Sequence, residues 1–196
     1  CWVAKRRFEK ALESFPHKDS VQVNVRAYRL APNHVAEPMV GALKRKLGSP
    51  AAAVTMMNTV KQYGASTGLD YHFETMMFGD TADAHVLVKA VEDEVVKKNL
   101  MEALYEQSTT QGKSLFDRTS LEAIAKSVGV SDESIRLAWS TPDLRLQMQS
   151  DERAAAQFGS GVPFFVFNNS FSVSGAQSQE AFLQALNQMY LESKGE

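Results

Sequence analysis

The segment GVPFFVFNNSFSVSG, residues 161–175, constrains the fold more than any other part of the chain. Two short runs rich in aromatic and β-branched residues flank a polar turn at 168–170, which is typical of an antiparallel β-hairpin. A helix is predicted over 178–191 because apolar side chains recur there at helical spacing: Phe182, Leu183, Leu186 and Tyr190. The end of the chain is therefore predicted to be two strands followed by a helix.

The beginning of the chain predicts a helix followed by a strand. Residues 5–15 place four apolar side chains on one helical face, and Pro16 ends that helix. The segment VQVNVRAYRL then alternates apolar and polar residues over 21–28, which indicates a half-buried strand that Pro32 closes. A helix and a strand in this order form part of a βαβ unit whose first strand would precede Cys1.

The middle of the chain, residues 36–158, is predicted to be helical. Ser49-Pro50 indicates one helix start, since serine caps helices and proline is tolerated in the first turn. Ser131 indicates another. No repeat or flexible linker separates this region from its surroundings. We therefore expect it to be a helical lobe inserted into a domain made of residues 1–35 and 159–196.

The composition excludes several function classes. The 21 basic and 23 acidic residues give a net charge of −2, so no overall field favours nucleic acid or an anionic membrane. No apolar run approaches the roughly 18 residues that a membrane span requires. The four histidines are scattered without partners at metal-ligand spacing, which predicts no metal site. No phosphate-binding loop, dinucleotide fingerprint or serine-hydrolase elbow is present.

The cysteine content and the first residue bear on the cellular compartment. A single cysteine among 196 residues excludes a structural disulfide within this sequence, which favours a reducing compartment, and we expect the cytoplasm. The sequence starts at Cys1 rather than at methionine. We expect that residues which precede it in the protein, including the first strand, are missing from this sequence.

Four segments together carry a resemblance to a known family. They are CWVAKRRFEKAL (1–12), DTADAH (80–85), GVPFFVFN (161–168) and VSGAQ (173–177). Their order resembles the DsbA-type oxidoreductases, and the first is similar to the second half of the Cys-Pro-Trp-Cys signature of the FrnE-like branch. The resemblance implies an α/β, thioredoxin-like fold with a large all-helical insertion between its βαβ and ββα halves.

The resemblance also implies a site made of residues from both ends of the chain. Cys1 would be the second, more sheltered cysteine of a Cys-x-x-Cys pair, which resolves the mixed disulfide, while the attacking cysteine would lie three positions upstream. Pro163 would follow a cis peptide bond, and the backbone of Val162 would pair with an extended substrate. Trp2 would border the site and either contact substrate or pack as an anchor for the inserted helical lobe.

The basic run at residues 5–7 and His85 can each be interpreted in two ways. The basic run Lys5, Arg6 and Arg7 is most simply a solvated helix face, with a contribution to thiolate stability as the alternative. His85 lies beside the apolar stripe of its predicted helix, so a structural role is favoured over a place in the site.

The resulting prediction is a thiol–disulfide oxidoreductase or disulfide isomerase. Its substrates would be proteins or small thiols that carry thiols or disulfides, and it would need no prosthetic group, although glutathione could serve as a redox partner. One alternative is a glutathione-dependent isomerase, like 2-hydroxychromene-2-carboxylate isomerase and the kappa-class glutathione transferases, with serine as the upstream residue. Another is a non-catalytic peptide-binding module. The oligomeric state stays open, a dimer included.

Overall fold

The computed structural model describes residues 1–159 and 161–195. Its helices are α1 (Trp2–Ser14), α2 (Met39–Leu47), α3 (Pro50–Ser66), α4 (Ala82–Lys89), α5 (Glu94–Thr109), α6 (Arg118–Ser127), α7 (Asp132–Ser140), α8 (Pro142–Ala156) and α9 (Gln179–Lys194). Its strands are β1 (Glu37–Pro38), β2 (Met77–Phe78), β3 (Phe164–Phe167) and β4 (Phe171–Ser174). Strand β1 pairs antiparallel with β2, and β3 pairs antiparallel with β4. Within the described residues, none of the helices is long and apolar enough to cross a membrane.

The predicted hairpin and most predicted helices are confirmed. Strands β3 and β4 are joined at the polar turn, where Asn168 and Asn169 have positive φ angles of 48° and 56°. Asparagine adopts this left-handed conformation more readily than most residues do. The side chain of Ser131 accepts a hydrogen bond from the Ser134 N–H at the start of α7. At the start of α9, the side chain of Ser178 accepts one from the Ala181 N–H. These caps satisfy N–H groups that a helix start leaves unpaired.

The described residues form two compact units. One contains Cys1–Val25, Tyr63–Leu69 and the described part of Ser160–Glu196, and the other contains Arg26–Gln62 and Asp70–Gly159. The domain ranges predicted from the sequence differ from these units at residues 26–35, 63–69 and 159. The first unit carries the helix and hairpin of the thioredoxin-like part, and the second is helical.

Each unit has its own apolar core. In the helical unit, fully buried side chains of α4, α5, α6 and α8 form the centre: Leu87, Leu100, Leu121, Ile124 and Met148. In the first unit, aromatic and aliphatic side chains of α1, of its C-cap residue and of α9 form the centre and pack against the β3–β4 hairpin: Phe8, Ala11, Phe15, Phe182 and Leu186. Burial of these side chains provides the main driving force for folding of each unit.

The predicted strand over 21–28 is wrong. The structure assigns no strand to these residues, and Val25, which the alternation predicted to be buried, is 60% exposed. A strand requires hydrogen bonds to a neighbouring strand. Among the described residues, β1 to β4 pair only with one another, and none pairs with this segment.

Two carboxylates of α8 bind the backbone of the segment that follows Val25. The Ala27 N–H donates to Asp151 Oδ2 at 2.9 Å, and the Arg29 N–H donates to Glu152 Oε1 at 3.2 Å. These alternate N–H groups therefore donate to side chains instead of to strand carbonyls. The period-2 pattern of the sequence predicted a strand partner for the segment and did not indicate these carboxylates.

Asp151 is the most buried member of this carboxylate cluster, with 5% of its surface exposed. Lys89 Nζ lies 2.6 Å from Asp151 Oδ2, and Arg26 Nη1 lies 3.1 Å from Asp151 Oδ1. Burial alone would raise the pKa of Asp151, but the Ala27 hydrogen bond and the ion pairs outweigh it, so this pKa lies below its usual value. Asp151 is therefore held in its charged form.

Arg29 joins two further carboxylates to the same cluster. Its Nε donates to Glu152 Oε1 at 2.7 Å, and its Nη1 donates to Asp80 Oδ2 at 3.1 Å. The hydrogen bond from Arg29 lowers the pKa of Glu152. For Asp80, burial would raise the pKa, but backbone N–H donors and Arg29 outweigh it and lower the pKa overall.

We expect Asp151→Asn to lower the free energy of unfolding by about 3 kcal/mol, because it leaves the largely buried Lys89 ammonium without its carboxylate. Urea unfolding at pH 7 measures the change. The matched control is Glu133→Gln, which removes an ion pair to Arg136 between two exposed side chains and should change the same quantity by less than about 0.5 kcal/mol. Equal effects of both substitutions would contradict the role assigned to Asp151.

The cluster also predicts how stability depends on pH. The pKa values of Asp80, Asp151 and Glu152 are lowered by folding, so their contribution is fully present above the unfolded pKa values of about 4. It is lost as pH falls through the lower pKa values of the folded state. Unfolding free energies measured between pH 3 and pH 7 should therefore fall at the acidic end. They should fall less steeply in Asp151→Asn, and an identical slope would refute this account.

Candidate active site

Cys1 occupies the N-cap position of α1. Its carbonyl oxygen accepts a hydrogen bond of 2.9 Å from the Lys5 N–H, which is the first bond of the helix. The thiol makes no side-chain capping bond, and the first turn contains no acidic residue. Because N–H groups at a helix start carry partial positive charge, this position favours an anionic sulfur.

The Cys1 side chain is exposed in this structure, which begins at that residue. Cys1 stands directly before α1, and its role as the resolving cysteine stays a prediction.

The peptide bond between Val162 and Pro163 is cis. Pro163 stands immediately before β3, and its carbonyl oxygen accepts a hydrogen bond of 2.9 Å from the Gly175 N–H, at the far end of β4. Gly175 has a φ of +82°, a conformation that favours glycine. The VSGAQ segment thus has a structural role that sequence reasoning did not assign to it: it binds the proline carbonyl.

Aromatic packing joins the element that begins at Cys1 to the element that follows Pro163. The ring centroid of Phe8 in α1 lies 5.3 Å from that of Phe165 in β3. Phe182 of α9 is fully buried and contacts both rings, at 5.6 Å and 4.6 Å. The two predicted site elements therefore belong to one unit and share one core.

Trp2 is buried, with 4% of its surface exposed. A side chain with so little accessible surface offers few atoms to a substrate, so its burial favours the packing role over the substrate contact. Among the basic residues of α1, Lys5 lies 2.9 Å from Glu9 one turn later, in the i,i+4 arrangement common on helix surfaces. Lys5 is thus paired within its own helix.

His85 lies in α4 of the helical unit, where its Nε2 is 3.1 Å from the carbonyl oxygen of Tyr28. Burial lowers the pKa of His85. The contact and the burial favour the structural role over a place in the site. Within residues 1–159 and 161–195, no group of three or more histidine, cysteine, aspartate or glutamate side chains could hold a metal ion.

A surface cavity of about 270 Å³ opens in the first unit, between α1, the end of α3 and the start of α9. Its lining is polar and consists of Arg7, Lys10, Ser66, Thr67, Ser178, Gln179 and Glu180. Cys1, Trp2, Val162 and Pro163 do not line it. The cavity is therefore separate from the predicted site residues, and the case for the site depends on the N-terminus of α1 and on the Pro163 segment.

Comparison with solved structures identifies several similar chains, and two of them are described below. A probable DsbA oxidoreductase from Streptomyces coelicolor shares 35% sequence identity with this chain, with a TM-score of 0.90 over 98% of this chain and 85% of that one. A candidate protein disulfide isomerase from Nitrosomonas europaea shares 15% identity, with a TM-score of 0.67 over 98% and 93% of the two chains. The second likeness is one of fold.

No curated protein matches the sequence significantly. The family model described as the DSBA-like thioredoxin domain matches residues 1–187, which is nearly the whole chain. This match agrees with the cysteine at the start of α1, the proline before β3 and the helical unit between them. The chain belongs to the family of DSBA-like thioredoxin domains.

Proposed function

We propose that this protein catalyses thiol–disulfide exchange, with Cys1 as the resolving cysteine of a Cys-x-x-Cys pair. The observation that carries the proposal is that Cys1 directly precedes α1 in the same compact unit as the Val162–Pro163 segment, with α1 packed on β3 through Phe8 and Phe165. The attacking cysteine is the residue three positions before Cys1 in the protein. Within the family, the FrnE-like branch is the one that residues 1–12 and 173–177 favour.

The reaction proceeds by two substitutions at sulfur. The attacking thiolate bonds to one sulfur of a substrate disulfide, and the other substrate sulfur leaves as a thiolate. The Cys1 thiolate then attacks the sulfur of the attacking cysteine, which breaks the mixed disulfide and releases the second substrate thiolate. The enzyme leaves as an intramolecular disulfide, and two electrons have passed to the substrate. Oxidation of a substrate dithiol is the reverse sequence.

The segment at Val162 and Pro163 would hold the substrate during this exchange. Strand β3 begins directly after Pro163 and pairs with β4 along one edge. An extended substrate could pair with the main-chain groups of Val162, in the manner of strand addition. This mode of binding recognises backbone rather than particular side chains, and it suits proteins of varied sequence as substrates.

The chemistry requires sulfur atoms alone, so no prosthetic group is needed. Small thiols such as glutathione are suitable redox partners, because they undergo the same exchange with the Cys1 disulfide. Protein dithiols and disulfides are the substrates that the family membership favours.

The residue three positions before Cys1 in the full-length protein distinguishes the proposal from its alternatives. Cysteine supports thiol–disulfide exchange, serine supports a glutathione-dependent isomerase, and any residue without a nucleophilic side chain supports a peptide-binding module. The full-length protein should then reduce insulin disulfides in the presence of a small thiol. Absence of both insulin reduction and oxidative refolding of a scrambled substrate would overturn the proposal.

In the full-length protein, we expect Cys1→Ser to trap the mixed disulfide. The attacking cysteine can still react with a substrate disulfide, but no resolving thiolate is left to release the product. Multiple turnover should fall by about a hundredfold. Intact-mass measurement under non-reducing conditions should reveal an adduct that a reductant removes.

In the matched control variant, serine replaces the attacking cysteine. This variant should lose multiple turnover as well, but it should form no mixed-disulfide adduct. A Cys1→Ser protein that turns over at the wild-type rate without an adduct would show that Cys1 does not resolve the intermediate.

A further inference from the structure

Arg7 of α1 is held by contacts on two sides within the first unit. Its guanidinium carbon lies 5.1 Å from the centroid of the Tyr63 ring, near the end of α3. Its Nη1 donates to the carbonyl oxygen of Ala176 at 2.7 Å, and a second acceptor, the carbonyl oxygen of Gln177, lies at 3.3 Å. Arg7 is therefore more than a solvated cation on a helix face.

The carbonyls that Arg7 binds belong to a compact loop between β4 and α9. The Gln177 N–H donates to the Gly175 carbonyl at 3.0 Å, and Gln177 Nε2 donates to the Ser174 carbonyl at 2.8 Å. Gly175 in turn donates its N–H to the Pro163 carbonyl. A continuous chain of hydrogen bonds thus runs from Arg7 through residues 174–177 to Pro163.

We propose that Arg7 is a positioning residue that fixes the Pro163 segment relative to helix α1, and thereby fixes the substrate-binding backbone relative to Cys1. The proposal rests on the proposed function. Hydrogen bonds from a charged donor are stronger than those between neutral groups, and the tyrosine ring restricts the guanidinium further. The role of Arg7 is geometric, since its acceptors are main-chain carbonyls.

An electrostatic effect of Arg7 on the Cys1 sulfur is the smaller contribution. Cys1 and Arg7 are six positions apart in the chain, which is roughly 9 Å along the helix axis. This distance is close to the one over which salt screens the interaction between exposed charges. Arg7 also lies near the carboxylate of Glu180, whose pKa is lowered by its own backbone N–H, by Ser178 and by the charge of Arg7. That carboxylate offsets part of the arginine charge.

The test compares full-length wild-type protein with Arg7→Met, which keeps the aliphatic stem but loses the donors. We expect kcat/KM for a disulfide-containing peptide to fall about tenfold, through a higher KM, because the backbone that binds substrate is no longer fixed. Alkylation of the reduced active-site thiols by iodoacetamide should change less than about twofold, because the helix start is intact.

Amide hydrogen exchange provides a readout that does not depend on activity. The Gly175 N–H should exchange about tenfold faster in Arg7→Met, since its loop has lost the anchor. Lys10→Met is the matched control, because it removes the same charge one turn later from an exposed position. It should change neither the exchange of the Gly175 N–H nor the KM. Arg7→Lys keeps the charge but not the planar donor group, and it should behave like Arg7→Met.

A second variant disturbs the same loop while Arg7 stays in place. Gly175→Ala introduces a side chain at a φ of +82° and should raise the KM in the same way.

If wild-type protein is active and Arg7→Met keeps both its KM and its slow Gly175 exchange, the positioning role is wrong and the proposed function stands. A large change in thiol alkylation without a change in KM would mean that Arg7 acts on the sulfur instead. If wild-type protein has no exchange activity, the proposed function fails, and the Gly175 exchange rates still test the loop contact.

Discussion

The packing of three phenylalanine rings is the interaction on which the candidate site depends. Phe8, Phe165 and Phe182 bring α1, β3 and α9 together in one aromatic core. Each ring contributes a large apolar surface, and offset or edge-to-face contacts add specificity to the burial. Because Cys1 begins the helix that carries Phe8, and Pro163 precedes the strand that carries Phe165, this core determines where both site elements lie.

Charged side chains fix two segments that have no regular secondary structure. In the helical unit, Asp151 accepts a hydrogen bond from the backbone N–H of Ala27. In the first unit, Arg7 donates to the backbone carbonyl of Ala176. In both cases a side chain on a helix makes a hydrogen bond to the backbone of an irregular segment. Irregular segments can therefore be held in definite positions without a larger sheet.

The sequence predicted local structure well where the signal itself was local. Apolar spacing and capping residues located α1, α7 and α9, and the polar turn located the hairpin. The strand predicted over 21–28 was wrong because alternation says nothing of the hydrogen-bond partner, and the partner of the Ala27 N–H is Asp151, more than a hundred residues away. Nothing in the local pattern indicates that carboxylates rather than a strand bind the segment.

The site could be predicted only in part. Cys1 and Pro163 could be proposed as site residues because their motifs stand in short, recognisable segments of the chain, and their roles stay predictions. The contacts of Arg7 were missed because its acceptors are main-chain carbonyls, which any residue could provide. A glycine at Gly175, in a conformation that favours glycine, was the one signal in the sequence that could have indicated an unusual loop there.

The most direct test of the central claim is the redox state of Cys1 in the full-length protein. The protein is equilibrated with glutathione buffers of graded ratio, the remaining free thiols are alkylated, and the peptide that contains Cys1 is analysed by mass spectrometry. The account predicts a disulfide between Cys1 and the cysteine three positions before it, which forms in a single two-electron transition. The account would be contradicted if Cys1 were fully alkylated at every glutathione ratio, in the oxidised buffers as well as in the reduced ones.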